Sequence, residues 1–376
     1  LMDAGADIEA EDENQWTPIL RAAGDLDQAE TVALLIKAGA NVTQRSATGT
    51  SLLHLAAQNG CSDTMSLLLE QKEKKMCLDA KNDLGVTPLH RSALEGELDC
   101  AKLLLEAGAD VNTSDKDGWT ALHWAADKGK GDVISLLIGA KIDLSATIEN
   151  GSTALHKAAE EGMLTAVGLL IEAGADVNAE RNDTMTPLHR AAVNGHAKVA
   201  RRLIEAGADI NAAEEDGWTP LHWASNQGTT EDVVQALVDA GANTSAISVQ
   251  EEESPLHLAT HEGHARITQI LINSGADIEQ QDSNGWSPLH HAVDNGHESV
   301  VGVLIDANAD VNIPAGEGQQ RPMHRAVLQG EKGVVMLLLA TGEGDLEATD
   351  EDEWTPLLWA AVEGSADIAS LQTSMR

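Results

Sequence analysis

Fourteen histidines, 61 carboxylates, three cysteines and eight tryptophans supply most of the chain's chemically capable side chains. His257, His261 and His264 have a spacing that suggests a metal site. His257, however, sits in a Leu-His pair that recurs at 54, 90, 123, 156, 189, 222 and 290, with Met-His in the same slot at 324, and His264 in a common Gly-His slot. The segment HEGH at 261–264 is too short for the two-histidine helix of a zinc protease. There is no Gly-rich phosphate loop ending in Gly-Lys-Ser/Thr and no signature of an activated serine or cysteine. Carboxylates are too numerous for one acid–base pair to stand out. Catalysis, a metal and a cofactor are therefore not expected.

The recurrence of Leu-His leads back to the elements that carry it. The stretch DGWTPLHWAS, residues 216–225, returns in close copies along the chain, and its Thr219 position is filled by Thr17, Ser51, Thr87, Thr120, Thr153, Thr186, Ser254, Ser287, Arg321 and Thr355. Successive gaps are 34, 36, 33, 33, 33, 33, 35, 33, 34 and 34 residues. Asp and Gly before the Thr, as in Asp115 and Gly118, supply a tight turn. Thr at the N-cap and Pro at the first helical position, as in Thr219 and Pro220, open a short helix, which a Gly then stops. A second Leu-rich helix, as around 101–106, has to bury against its partner and the next copy, because one unit cannot close a core.

This pattern of T-P-L-H-x-A-A, Gly, a Leu-rich run and G-A-D-V-N at a period of 33 resembles the ankyrin repeat, over nearly the whole chain. The resemblance implies an all-α solenoid, elongated and curved, with a β-hairpin and two antiparallel helices per repeat. It also implies that the Leu-His rings hydrogen-bond backbone and tie neighbouring repeats together, and that partners bind at the hairpin tips and on the concave face of the first helices.

The chain reads as one such domain, 1–376, because a solenoid overrides the usual length rule. Residues 1–11 match the tail of a repeat, which predicts that the native protein continues upstream. Full repeats start at about 12, 46, 82, 115, 148, 181, 214, 249, 282 and 316 and are numbered one to ten here. Repeat eleven, 350–376, either caps the array or was cut, since Gln372, Thr373 and Ser374 stand where apolar residues belong. Irregularities fall at Leu20 in place of the histidine, at Lys72, Lys74 and Lys75 in repeat two, and at 227–231. Glu251, Glu252 and Glu253 replace the turn of repeat eight, and a Gly-rich approach to Arg321 predicts a distorted hairpin in repeat ten.

Net charge is -37, which disfavours nucleic acid and anionic membrane surfaces as partners. Cys61, Cys77 and Cys100 are odd in number and lack metal spacing, so they read as free thiols in a reducing compartment, cytosol or nucleus. No apolar run approaches the roughly 18 residues of a membrane span, and the N-terminus has no signal-peptide pattern. No Phe or Tyr is present, and nothing physical explains that.

Trp16, Trp119, Trp218, Trp286 and Trp354 precede the Thr at the tips, and Trp124, Trp223 and Trp359 follow the Leu-His position or its equivalent. Acid flanks the tip rings: 11–13 before Trp16, Glu214, Glu215 and Asp216 before Trp218, and Asp350 and Asp352 before Trp354. Between 203 and 375, thirty acidic residues face only Arg266, Arg321, Arg325 and Lys332, about -26 of the net charge. Acid beside Trp favours Lys and Arg through long-range attraction and cation–π contact. The expected function is thus a non-catalytic scaffold that binds a protein or peptide, with a basic one favoured. A methyl-lysine cage built from neighbouring repeats is not expected, because no two Trp-bearing repeats are adjacent; two rings within one repeat, such as Trp218 and Trp223, remain as a pair. Three other readings stand beside this one: the regulatory or substrate-recruiting arm of a larger enzyme, channel or signalling protein; an engineered array; and the substrate of an asparaginyl hydroxylase. For the last, Asn112, Asn178, Asn211 and Asn312 fit the pattern that the resemblance implies.

Overall fold

The computed structural model describes residues 5–25, 28–71, 76–228 and 231–374. Lys72, Lys74 and Lys75 lie outside the described residues, as do 229–230 of the expected irregular turn. Two compact units divide the chain, Leu1–Pro187 and Leu188–Arg376, and the division falls at the start of the first helix of repeat six.

Each repeat contributes two short helices, and the first begins one residue after the marked Thr or its substitute, as at Pro18, Leu52, Pro88, Ala121, Ala154, Pro220, Pro255, Pro288, Pro322 and Pro356. Repeat seven illustrates why. Thr219 is extended (φ -87°, ψ 168°) with its hydroxyl at the N-cap, Pro220 presets the first turn, and Gly228 ends the helix in the left-handed region at φ 59°. Leu221 and Ala224 from this helix and Val233, Val234 and Leu237 from the second are fully buried. The Leu and Val side chains contribute about 1.5–3 kcal/mol each relative to exposure.

Within the unit 1–187 the first helices pack side by side in chain order, and so do the second helices; the unit 188–376 repeats the arrangement. The fold class is the expected all-α ankyrin arrangement. Tip loops of adjacent repeats are also joined by single backbone bonds, Lys116 N–H to Leu84 O (3.2 Å) and Glu149 N–H to Asp117 O (3.2 Å) in the first unit, Val249 N–H to Asp216 O (2.8 Å) and Ser283 N–H to Glu251 O (2.9 Å) in the second. Gly217 makes the third of these possible. Its φ is 80°, and a Cβ there would come within 3.0 Å of the Val249 nitrogen.

The expected β-hairpins differ from observation. Among the described residues the tips carry only isolated bridges, Arg45 with Ser51, Ser114 with Thr120 and Ala315 with Gln320. A local cause limits the pairing: at Asp115 one carboxylate oxygen accepts the N–H groups of Asp117 (3.0 Å) and Trp119 (2.9 Å), and beside it the pairing goes no further than the single bridge of Ser114 with Thr120. Repeat ten lacks that acid and reverses the expectation of distortion. Ala315 and Gln320 exchange both backbone bonds, at 2.9 and 3.0 Å, with Gln319 at φ 49° closing the turn. In repeat eight Glu252 occupies the left-handed position at φ 52°, and Ser248 replaces the carboxylate by accepting the Glu253 N–H at 3.0 Å.

Candidate functional site

Five acids open the Trp-bearing tips, and each is a structural hub. Asp115, Asp282 and Asp350 accept two loop amides through one oxygen and a ring N–H nine residues onward through the other. Those ring donors are Trp124 Nε1 at 3.3 Å, His291 Nε2 at 2.9 Å and Trp359 Nε1 at 2.8 Å. Asp12 does the same for Arg21 Nε at 3.1 Å. Burial pushes the Asp282 carboxyl up, but the bonds from His291 and the loop amides outweigh it and hold the group below the usual carboxylate range. Glu214 is the exception. Its longer side chain accepts Trp218 N–H at 3.0 Å, while the buried Trp223 Nε1 finds no acceptor.

The ring five residues after the tip ring meets it in four repeats, held by the acid in three of them and without that bond in repeat seven. Centroids lie 4.4 Å apart for Trp119 and Trp124, 4.8 Å for Trp218 and Trp223, 4.9 Å for Trp354 and Trp359, and 5.3 Å for Trp286 and His291. All eight tryptophans are half-buried, seven of them in these ring contacts. The contacts leave no room for a cation between the rings of one pair, which rules out a cage of that form.

The faces turned away from the pair are another matter. Lys157 Nζ lies 5.3 Å over the Trp119 ring, and the Arg325 guanidinium 4.8 Å over Trp286. Both cations come from the following repeat, from the position after its Leu-His or Met-His. Lys157 also pairs with Asp127 (3.4 Å) and Glu160 (2.8 Å), and Arg325 with Asp294.

Two clefts line the tips of the unit 188–376. One of about 700 Å³ is bordered by Glu251, Glu253, Asp282, Asp294 and Glu317 together with Trp286, His261 and His291. A smaller one of about 240 Å³ is bordered by Glu214, Asp216, Glu251, Glu253, Trp218 and Trp223. Glu251 and Glu253 border both, so the two acidic clefts adjoin, with walls drawn from repeats seven to ten. Burial raises the Glu253 carboxyl, which marks a place where negative charge is poorly solvated.

Glu253, Asp282 and His291 each bring one donor atom within 4.8 Å of the others, a grouping that the sequence alone did not point to. Asp282 and His291 already bond each other in the manner of the Asp–Trp hubs, so this arrangement has a sufficient structural reason. The three spaced histidines do not converge. His257 Nε2 bonds Trp286 O at 3.1 Å, His264 Nε2 bonds Asn226 O at 3.1 Å, and His261 pairs with Glu262.

The Leu-His rings carry the framework, as the resemblance implied. In repeat seven, His222 Nδ1 accepts from Thr219 N–H at 3.1 Å and lies 2.8 Å from the Thr219 hydroxyl, while Nε2–H donates to Glu253 O at 3.2 Å in the next repeat. The same pair of bonds recurs at His54, His90, His123, His156, His257 and His290. An amide donor at Nδ1 and a carbonyl at Nε2 fit the neutral ring, and burial lowers the pKa of these seven to about 4.

Of the other residues singled out, Glu215, Asp216 and Asp352 are exposed, whereas Glu214 and Asp350 are buried and organise their own loops. Trp16 packs under Arg21 of its own repeat, 4.7 Å from its ring. Asn112, Asn211 and Asn312 accept backbone N–H groups of Asp143 (2.9 Å), Asn243 (2.8 Å) and Asp345 (2.8 Å), each in the next loop. Asn178 N–H bonds Asp176 at 2.9 Å. Residues that sequence reasoning missed are Glu251, Glu253, Asp282 and His291 in the groove and the two covering cations. Their signal was available: Lys157 and Arg325 share one repeat position, each directly following a repeat with a tip Trp.

Of the cysteines, Cys61 and Cys100 are buried and Cys77 is exposed, and burial pushes the Cys100 thiol up to about 12. Among the described residues no helix is long and apolar enough to cross a membrane.

A family model described as Ankyrin repeats (3 copies) matches in overlapping stretches, 1–79, 19–115, 74–148, 111–181, 128–214, 178–248 and 231–315. Among curated proteins, the nuclear factor NF-kappa-B p105 subunit of Gallus gallus is 42% identical over 89 residues, 24% of this chain and 9% of that protein. The transient receptor potential cation channel subfamily A member 1 of Drosophila melanogaster is 30% identical over 116 residues, 30% of this chain and 10% of the channel. NF-kappa-B inhibitor alpha of Sus scrofa is 34% identical over 104 residues, 27% of this chain and 33% of the inhibitor. The chain thus spans from a tenth to a third of the length of these relatives.

Proposed function

The chain belongs to the ankyrin-repeat family, whose repeats mediate protein–protein interaction and are generally non-catalytic, and we propose that it is a binding module for a basic protein segment. The segment lies along the acidic tip groove of repeats seven to ten. One observation carries this reading: the two clefts share Glu251 and Glu253 in their walls, and carboxylates and half-buried rings line both. Summed attraction over partly screened carboxylates gathers a cationic partner, and ring contacts then hold it. Exposed Glu215 and Asp216 extend the attraction beyond the cleft walls.

The test is a titration of the full chain with a labelled extended peptide of alternating Arg and Gly at several salt concentrations. The association rate is expected to fall steeply with salt, and Glu251→Gln with Glu253→Gln is expected to weaken binding. An acidic peptide binding as well, or the double substitution leaving affinity unchanged, overturns the reading.

A second reading concerns context. The relatives matched over a tenth to a third of their length include a channel subunit and a protein named as an inhibitor, which supports a role as the regulatory or recruiting arm of a larger protein. Co-purification of the full-length gene product with its flanking segments tests it: an interaction mapping only to those segments contradicts it.

A further inference from the structure

The rings at Trp119 and Trp286 are each covered by a cation from the following repeat, Lys157 at 5.3 Å and Arg325 at 4.8 Å. The repeat-equivalent position after Trp218 and Trp223 is Leu258, the residue following His257. The covering cations are neutralised by Asp127 and Asp294 on the preceding first helix, and the equivalent residue in repeat seven is Asn226. Repeat seven therefore lacks both halves of the internal ion pair. It keeps the ring pair and has instead a corner of Glu214, Asp216, Glu251 and Glu253 around a space of about 240 Å³. The Glu253 backbone is pinned there by His222 and by Ser248.

We propose that this corner is a socket for one cationic side chain of the bound partner, preferentially an arginine, which takes the place that Lys157 and Arg325 occupy over their rings. The inference rests on the groove reading above and sharpens it to a single anchoring residue. Two other repeats of the same chain supply the template. A planar guanidinium stacks on the indole while its N–H groups face carboxylates, a geometry that an ammonium matches less well and a neutral side chain not at all. Desolvated ring contact beside several carboxylates is what distinguishes an anchor from diffuse attraction.

The experiment reads the eight indole N–H resonances of the full chain by NMR, assigned by single Trp substitutions, during titration with three peptides that differ only in one residue: arginine, lysine or the neutral isostere citrulline. The arginine peptide is expected to shift Trp218 and Trp223, to leave Trp119 under Lys157 and its neighbour Trp124 unmoved, and to bind at least tenfold tighter than the citrulline peptide, with lysine between. Leu258→Arg fills the socket from within and is expected to lower arginine-peptide affinity about tenfold. Its fold is checked by the melting curve, and because Lys157 and Arg325 are tolerated at the same position, folding is expected. Should that variant nonetheless unfold, Trp218→Ala takes its place and is expected to cost the arginine peptide, but not the citrulline peptide, a similar factor. Equal shifts at all rings, equal affinity for arginine and citrulline, or arginine binding unaffected by both variants overturns the socket while leaving the groove standing if affinity still depends on Glu251 and Glu253. No binding of any basic peptide overturns the groove as well.

Discussion

Repeat four and repeat seven have nearly the same sequence at their tips, yet the structure closes one and leaves the other open. In repeat four, Asp115 holds both the loop and Trp124, and Lys157 covers Trp119 while it pairs with Asp127 and Glu160. In repeat seven, Glu214 holds the loop but not Trp223, no internal cation occupies the equivalent position, and Glu251 and Glu253 face the rings. A few substitutions off the consensus, Glu214, Asn226, Glu253 and Leu258, thus convert a self-satisfied corner into one that attracts a cation.

That contrast holds only if the framework beneath the two corners is equivalent, and acid is the strongest way to test this. The framework imidazoles titrate at about 4 when folded, below the roughly 6.5 of the unfolded chain, so the unfolded state takes up protons first as pH falls below that value. Each such ring contributes stability that is fully present above about pH 6.5 and is lost toward pH 4, at up to about 1.4 kcal/mol per pH unit. Urea midpoints measured at pH 7 and pH 5 should show a large loss at pH 5 in both units. A midpoint that rises on acidification contradicts the neutral buried rings.

Next in size are His123→Ala and His222→Ala, which remove the same bonds in the closed and the open repeat. Each is expected to cost about 2–4 kcal/mol, from lost packing and from a backbone carbonyl left without its donor. Denaturation of both variants checks it, and a cost confined to one repeat breaks the equivalence.

Lys157→Met uncovers Trp119. It is expected to cost about 1–3 kcal/mol, because Asp127 and Glu160 lose a partly buried partner, and to let a basic peptide shift the Trp119 resonance. No gain in response at Trp119 means that the cover is not what separates the corners. The smallest effect is that of Glu215→Gln with Asp216→Asn, exposed groups whose loss is expected to lower the association rate of a basic peptide a few-fold and leave dissociation unchanged. Stopped-flow measurement separates the two rates.

Most of the fold was legible in the sequence because the repeat itself is the signal: Thr at the cap, Pro after it and the Leu-His ring each do one local task that the residue type dictates. The site was legible only in part. Acid and Trp at 214–218 and 350–354 could be read as a pair, but the inward turn of Asp350 and Glu214 depends on which loop amides lie within reach, and residue type does not give that. The covering of Trp286 by Arg325 joins residues 39 positions apart and becomes visible only once repeats are aligned by phase. The hairpins were overdrawn for a related reason, since a carboxylate that caps two amides looks in sequence like any turn Asp.

The central claim is that the tips of repeats seven to nine in the unit 188–376 take a basic segment, anchored at the uncovered rings of repeat seven, and that the covered tip of repeat four does not. Hydrogen exchange of the full chain with and without a saturating Arg-Gly peptide tests it most directly. The account predicts new protection in the loops 214–218, 248–253 and 282–286 and none at 115–119; protection spread equally over both units, or concentrated at 115–119, contradicts it.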